Sequence, residues 1–385
     1  MNKRLLYVSS IVPSQNGAGS NIEYQLLKDI QKRKSSFQID AVIIKSDKDY
    51  GLETDSASLF KKVKIYSLNN FDRIINSIFF FYLPGMMVFR LNIRVLLFLL
   101  LNKQKYDYVF YGFSQSAIYS ILLKRLYPNA LHILTIHDVL FQAFERKKDN
   151  YSFGLLKVYY HLEYIKAKIF EPLLYDNMSY LLFLSQKDKS LFAFSDEQAF
   201  LLVPYYKQFE FLNSEFTKDE FHICYWGSFK RFENIDAVKY YLQNVHPIFV
   251  SKFLKYVFSP IGYDANKHFV SDTNIHVVSD PIEPAIFLIR STLAFIWLRF
   301  GAGVKIKVLE LLQLGIPVVT NNIGGEGIPP TLGLFICNDI EEAVSIVVKI
   351  WNGQIQINKT AIHEEFLRNF SLSKNSDLIN RIFKP

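Results

Sequence analysis

Cysteine is scarce in this chain. Its 385 residues include two, Cys224 and Cys337, too few and too far apart for a disulfide framework or a CxxC metal site, so both are expected as reduced thiols in a core. An apolar run able to cross a bilayer is also missing. The best candidate, Ile74 to Leu101, is broken by Pro84, Gly85, Arg90 and Arg94, whereas a spanning helix needs about 20 consecutive apolar residues. There is no low-complexity tract and no repeat of solenoid length. Charge of one sign is in modest excess: 44 Lys and Arg against 36 Asp and Glu give a formal +8. The basic residues are spread thinly and no nucleic-acid module is present, which argues against a nucleic-acid partner. An anionic nucleotide or an anionic lipid surface matches the balance.

Apolar sequence is abundant, at half of all residues, and the length exceeds what one core supports, so two domains are expected. The opening MNKRLLYVSSIVPS places basic residues before apolar ones. Its apolar run is short, holds two serines and lacks a small-residue cleavage site, so it reads as a first strand of a cytoplasmic protein. The Ile74 to Leu101 stretch is open to two readings. It forms buried helices of the first domain, or a monotopic surface whose aromatics dip into the bilayer while Arg90, Arg94, Lys103 and Lys105 meet anionic headgroups. The second reading places the protein peripherally on the inner face of the cell membrane.

Short apolar runs alternate with helical stretches, as buried parallel strands do. Runs at Leu5 to Ser9, Ile39 to Ile44, Tyr108 to Tyr111, Leu131 to Ile136 and Leu181 to Leu184 fill the first half, with a helix from about Asn21 to Lys32. Val203 to Glu220 breaks the alternation and marks a boundary. Beyond it, strands are expected at Phe221 to Trp226, Phe253 to Ser259, Ile275 to Val278, Leu293 to Trp297, Pro317 to Thr320 and Leu334 to Ile336. Helices are expected from Asn234 to Val245, Val304 to Leu314 and Ile340 to Trp351. Two doubly wound α/β domains in tandem satisfy this order.

The segment Arg299 to Ile328, RFGAGVKIKVLELLQLGIPVVTNNIGGEGI, joins a glycine turn, a basic helix start, a strand and a second glycine turn. A helix N-terminus behind glycines offers free N–H groups and a positive dipole end to an anion. Lys305 and Lys307 add charge there, and Lys307 is favoured over Lys305, which alternates with it. Glu310 lies three residues past Lys307, so both share a helix face: one suits phosphate, the other sugar hydroxyls. Glu310 also fits a local surface pair, Lys230 and Arg231 a solvated loop, His137 a satisfied histidine at a strand end, and Gly324 and Gly325 a simple turn.

This segment resembles the donor-binding region of glycosyltransferases of the GT-B fold, in particular a divergent bacterial branch of family 4. Arg299, Gly301, Gly303, Lys307, Glu310, Gly315, Pro317, Val318, Val319, Gly324, Glu326 and Gly327 fall on that pattern. Trp226 to Val238, WGSFKRFENIDAV, resembles the strand, turn and helix start that opens the second domain in this group. His137-Asp138 follows a strand where members carry a histidine near the transferred sugar, and Gly17 and Gly19 sit where the first glycine-rich turn lies. Three departures stand out. Ala302 occupies the place of a second glutamate that contacts the donor sugar, Ser228 and Asn234 replace an Arg and Lys pair, and Tyr205-Tyr206 replaces an Asn-Gly turn.

The resemblance implies an α/β fold of two Rossmann-like doubly wound domains facing a cleft. Residues 1–205 would bind the acceptor, 206–363 the nucleotide-sugar, and 364–385 would form a helix packing back towards the first domain. It implies a retaining transferase moving a sugar from a nucleotide diphosphate donor to a lipid-linked, polysaccharide or glycan acceptor. His137, Asp138 and Lys307 are the catalytic candidates. Gly17, Gly19, Gly227, Lys230, Arg231, Arg299, Gly301, Gly303, Lys305, Glu310, Gly324, Gly325 and Glu326 are the binding candidates. Cationic side chains can carry the diphosphate charge, so no metal or other cofactor is expected. Two other readings are a non-catalytic GT-B partner subunit, which the missing carboxylate at Ala302 favours and the intact Lys307 and Glu310 oppose, and a sugar-nucleotide epimerase.

Overall fold

The structure is a computed structural model describing residues 3–15, 17–34, 37–46, 54–149, 151, 153–211, 221–253 and 255–383. The chain divides into two compact units, Met1–Tyr205 with Leu372–Pro385, and Tyr206–Ser371. Among the described residues the first unit carries β1 Arg4–Ser9, β2 Gln38–Ser46, β3 Lys62–Leu68, β4 Tyr108–Gly112, β5 Leu131–Ile136, β6 Tyr180–Phe183 and β7 Ala199–Leu201. The second carries β8 Phe221–Trp226, β9 Tyr256–Gly262, β10 Val278–Ser279, β11 Leu293–Ile296, β12 Val318–Asn321 and β13 Leu334–Cys337. Ten described helices have eight or more residues: α1 Ala18–Arg33, α2 Asn70–Phe79, α3 Ile93–Leu101, α4 Leu140–Asp149, α5 Leu155–Tyr175, α6 Phe232–Asn244, α7 Ile306–Gln313, α8 Ile340–Trp351, α9 Lys359–Phe370 and α10 Lys374–Ile382.

The first sheet runs β3-β2-β1-β4-β5-β6-β7 and the second β10-β9-β8-β11-β12-β13, with every neighbouring pair parallel. Parallel pairing needs crossovers that cover both faces, which is why β1, β4 and β5 are apolar and buried almost end to end. In register, Leu6 lies beside Val109 and Val8 beside Tyr111, and all four enter the core of this unit. α1 packs Ile22, Leu26, Leu27 and Ile30 inward and ends on Lys32 and Arg33, cations that suit a helix C-terminus. Each sheet reverses its strand order once, between β1 and β4 and between β8 and β11. In such sheets the crevice beyond the strands' carboxyl ends at the reversal is where ligands bind.

Several expectations shift. β3 and β7 were not anticipated, the strand at Phe253 begins only at Tyr256, and Ile275 contributes a single bridge to Phe258 ahead of β10. Residues 364–370 belong to α9 in the second unit, and the chain returns to the first unit only from Leu372. There Phe383 packs against the rings of Phe37, Tyr108 and Phe110. Residues 212–220 of the expected boundary lie outside the described residues. The Ile74 to Leu101 stretch divides its apolar side chains. Met87, Val88, Val95 and Leu99 are buried, while Ile74, Ile78, Phe79, Leu97 and Leu101 are exposed. Both cysteines are buried and free. Among the described residues no helix is long and apolar enough to cross a membrane.

Candidate active site

Lys307 occupies the first turn of α7 and reaches the carboxyl end of β8. Its ammonium donates to Tyr225 Oη (2.8 Å) and to Asn234 Oδ1 and lies 4.6 Å from the centre of the Tyr225 ring. Tyr225 Oη also donates to Asn234 Oδ1 (2.9 Å), and Asn234 Nδ2 donates to the Ser228 carbonyl (2.7 Å). Burial pushes the Lys307 amine well below its ordinary pKa, and the charges of Arg231 and Lys305 push the same way. One turn on, Glu310 Oε2 accepts from the Trp226 indole N–H (2.7 Å) and Oε1 from the Lys207 backbone N–H (3.1 Å). Burial raises the Glu310 carboxyl, opposed by those two donors. A carboxylate has about four lone-pair positions, so Glu310 keeps capacity for further donors.

The glycines make room for this cluster. A Cβ on Gly227 would lie 2.9 Å from Asn234 Nδ2 and 3.3 Å from Lys307 Nζ. Gly301 and Gly303 have φ of 119° and 70°, left-handed backbone that glycine adopts without strain. Gly324 is fixed by packing, since a Cβ would meet Thr320 Oγ1 at 2.0 Å, and Gly325 by Ile336 at 2.7 Å. At these two positions the structure supplies a packing reason.

Other candidates have partners within the fold. Arg299 grips Asp236 of α6 through Nε (2.9 Å) and Nη2, so two of its five N–H donors are committed to a carboxylate instead of a phosphate. Lys305 Nζ donates to the Gly303 carbonyl (2.6 Å) and lies 3.5 Å from buried Glu326, a pair that ties the two glycine turns together. Lys230 and Arg231 are exposed. Lys230 sits over Tyr263 (5.7 Å), and Arg231 pairs with Glu233 (3.6 Å).

The first unit gathers a second cluster at its own switch point. His137, just past β5, places Nε2 2.7 Å from Glu23 Oε1 on α1, while Glu23 Oε2 accepts from Tyr7 Oη (3.0 Å). A carboxylate takes the ring N–H, so the proton sits on Nε2 and Nδ1 is left on the side of Gly19, whose Cβ would lie 3.6 Å from it. Phe113 stacks on the imidazole at 4.0 Å from a backbone of φ 69° and ψ 146°, a strained conformation for an aromatic residue of the sort found at functional sites. Gly17 precedes the first residue of α1 and has extended backbone. Asp138 is exposed and accepts the Ser114 hydroxyl at its backbone carbonyl (3.0 Å). Sequence reasoning missed Glu23, Tyr7, Phe113 and Tyr225. Their roles come from contacts between elements, and Glu23 reads as an ordinary solvated helix residue. One Asp-x-Asp able to serve a divalent ion, Asp47-Lys48-Asp49, follows β2 and lies outside the described residues.

No protein-family model matches the chain, and no curated protein matches it either. Solved structures do. The chain is similar to the lipopolysaccharide outer core galactosyltransferase WaaB in its apo form, at 12% identity and a TM-score of 0.64 over 99% of each chain. It is similar to TarM at 11% identity and a TM-score of 0.63, over 100% of this chain and 99% of that one. It is also similar to Anabaena HepE in complex with UDP-glucose, at 10% identity and a TM-score of 0.60 over 98% of each. These likenesses span the chain and establish its fold: two Rossmann-like domains in tandem, as in GT-B glycosyltransferases.

Proposed function

We propose that this chain is a glycosyltransferase that moves a sugar from a nucleoside diphosphate donor to a glycan or lipid-linked acceptor in cell-surface glycan synthesis. One observation carries the reading. On one turn of α7, at the switch point of the second sheet, a partly buried ammonium and a carboxylate with spare acceptor capacity stand three residues apart. Lys307 and the first N–H groups of α7 meet the diphosphate, where negative charge grows as the anomeric bond breaks. Glu310 accepts from ribose hydroxyls. In the first unit His137, oriented by Glu23, serves the transferred sugar or the acceptor.

The ligands of structural neighbours support this. HepE is solved with UDP-glucose and with UDP and glucose, and S. aureus TarM with UDP and alpha-GlcNAc-glycerol. We place the chain in a divergent branch of family 4 and take transfer to retain the anomeric configuration, with Ala302 leaving the donor sugar to other contacts. Side-chain cations and helix amides carry the diphosphate charge in this account, so transfer is expected to persist in EDTA. Peripheral contact with an anionic membrane brings the protein to its acceptor. A thermal-shift screen against UDP-, GDP-, ADP- and TDP-sugars tests the donor site, because a ligand that binds only the folded state raises the melting temperature. Silence from every nucleotide would move the assignment to a partner subunit.

A further inference from the structure

α5 is apolar on two faces. Its inward face buries Ala167, Leu174 and Tyr175. Its outward face carries Val158, Leu162, Ile165, Ile169 and Leu173, all exposed and spaced four, three, four and four residues apart, which at about 100° per residue forms one stripe. Phe153 and Leu155 extend it at the helix start with 95% and 90% exposure. A helix packed on one side and facing water on the other carries polar residues where this one carries aliphatics.

The charges on α5 are sorted. Both of its carboxylates turn inward. Glu163 accepts from the Gly85 N–H (2.5 Å) and pairs with Lys166 (2.7 Å), and Glu171 accepts from the Leu140 and Phe141 N–H groups (2.9 and 2.8 Å) and the Tyr175 hydroxyl (2.8 Å). Lys166 is held by Glu163, and the remaining charges of the helix are Lys157 and Lys168. The apolar stripe therefore has a cationic border and no outward acid within the helix. It continues onto α2 and the turn after it. Gly85 is tied to Glu163, Tyr82 packs on Phe170 (6.4 Å between rings), and Ile78, Phe79 and Phe81 are each 65% exposed or more.

We propose that the α2 and α5 face is a docking surface for the interface of an anionic bilayer, with α5 lying in the membrane plane. Aliphatic and aromatic side chains enter the acyl boundary, and the lysines meet anionic headgroups. A second copy of the chain would bring the same lysines and meet like charge, which favours lipid over self-association. Of the cations the sequence suggested, Arg90, Arg94, Lys103 and Lys105, the first two have partners within the fold. Arg94 donates to the Ser67 carbonyl (3.0 Å) and pairs with Asp72 (3.4 Å), and Arg90 reaches the Ile44 carbonyl (3.4 Å). This surface gives a lipid-linked acceptor a place to arrive and rests on the transferase reading only for that purpose.

Flotation of the full chain with vesicles of phosphatidylcholine, alone or with a third phosphatidylglycerol, tests it at low salt. Binding to the anionic vesicles is expected to exceed that to the neutral ones by at least about tenfold, and Leu162→Glu with Ile169→Glu to lower it by at least about tenfold. Both substituted residues are exposed, so the melting temperature and its rise with nucleotide-sugar are expected to stay unchanged. Equal or absent binding by the wild-type chain, or full binding by the variant, would overturn the proposal. So would a wild-type dimer in solution that the variant turns into a monomer. Failure of the transferase reading shows separately, as vesicle binding with no response to any nucleotide-sugar.

Discussion

Replacing Lys307 by methionine separates the site's function from its stability. The ammonium donates to Tyr225 and Asn234, but those two groups also bond to each other at 2.9 Å, and Asn234 Nδ2 keeps the Ser228 carbonyl at 2.7 Å. Removing the amine therefore strands no buried polar atom. Two hydrogen bonds worth about 1 kcal/mol each are lost, set against relief from holding an ammonium out of water. The net change is expected to stay within about 1 kcal/mol, a melting shift of roughly 2–4 °C. Donor binding responds differently, because a desolvated cation facing a diphosphate contributes roughly 2–5 kcal/mol, or about 30-fold to several-thousand-fold in affinity. Since burial lowers the Lys307 pKa, wild-type affinity is expected to fall as pH rises through that depressed value, and Lys307→Met to lose the dependence. Scanning fluorimetry and titration calorimetry with the donor read both quantities. A melting temperature lower by more than about 10 °C with donor affinity unchanged would refute the reasoning and make Lys307 a structural residue.

Gly324→Ala is expected to destabilise the second unit by about 1–3 kcal/mol or more, because its Cβ would sit 2.0 Å from Thr320 Oγ1; urea unfolding checks this. His132, buried between Tyr111 Oη and the Tyr127 carbonyl, has a pKa lowered by burial to about 4. The folded state then binds fewer protons than the unfolded one below the ordinary value of 6.5, so its contribution of roughly 3 kcal/mol is lost as pH falls from 6.5 to 4. Glu171, raised by burial to about 7, has the opposite sign, so the His132 effect is read as the difference between wild type and His132→Asn. Glu23→Gln is expected to lower kcat by about tenfold or more while KM stays within about twofold, since it disorients His137 without touching the donor cluster. A KM change alone would place Glu23 outside the reaction.

The parts of this protein that the sequence disclosed are those written locally. Lys307 and Glu310 share a turn of helix, and the glycines around them punctuate a continuous segment, so their spacing was legible. Their partners Tyr225, Trp226 and Asn234 come from β8 and α6, more than 70 residues earlier; a motif marked Trp226 and Asn234, but no local pattern pairs them or Tyr225 with α7. Strand β3 was hidden because it is an edge strand, with Lys62 and Lys64 exposed and only Leu68 buried, so it lacks the apolar run of a central strand. β7 is too short to leave a signal. The stripe on α5 was unreadable for the opposite reason: its apolar residues look like core until the fold shows which of them face outward. Arg299 matched a motif, yet Asp236 on α6 holds it, a pairing that only the tertiary structure reveals.

The task proposed for the two clusters is the making of a glycosidic bond. NMR of products from wild-type protein, the stabilising nucleotide-sugar and a membrane extract as acceptor tests this most directly. Release of the nucleoside diphosphate is expected together with a new anomeric signal on the acceptor, both lost in Lys307→Met. Donor hydrolysis or epimerisation with no new glycosidic bond, or no turnover of a donor that binds, would contradict it.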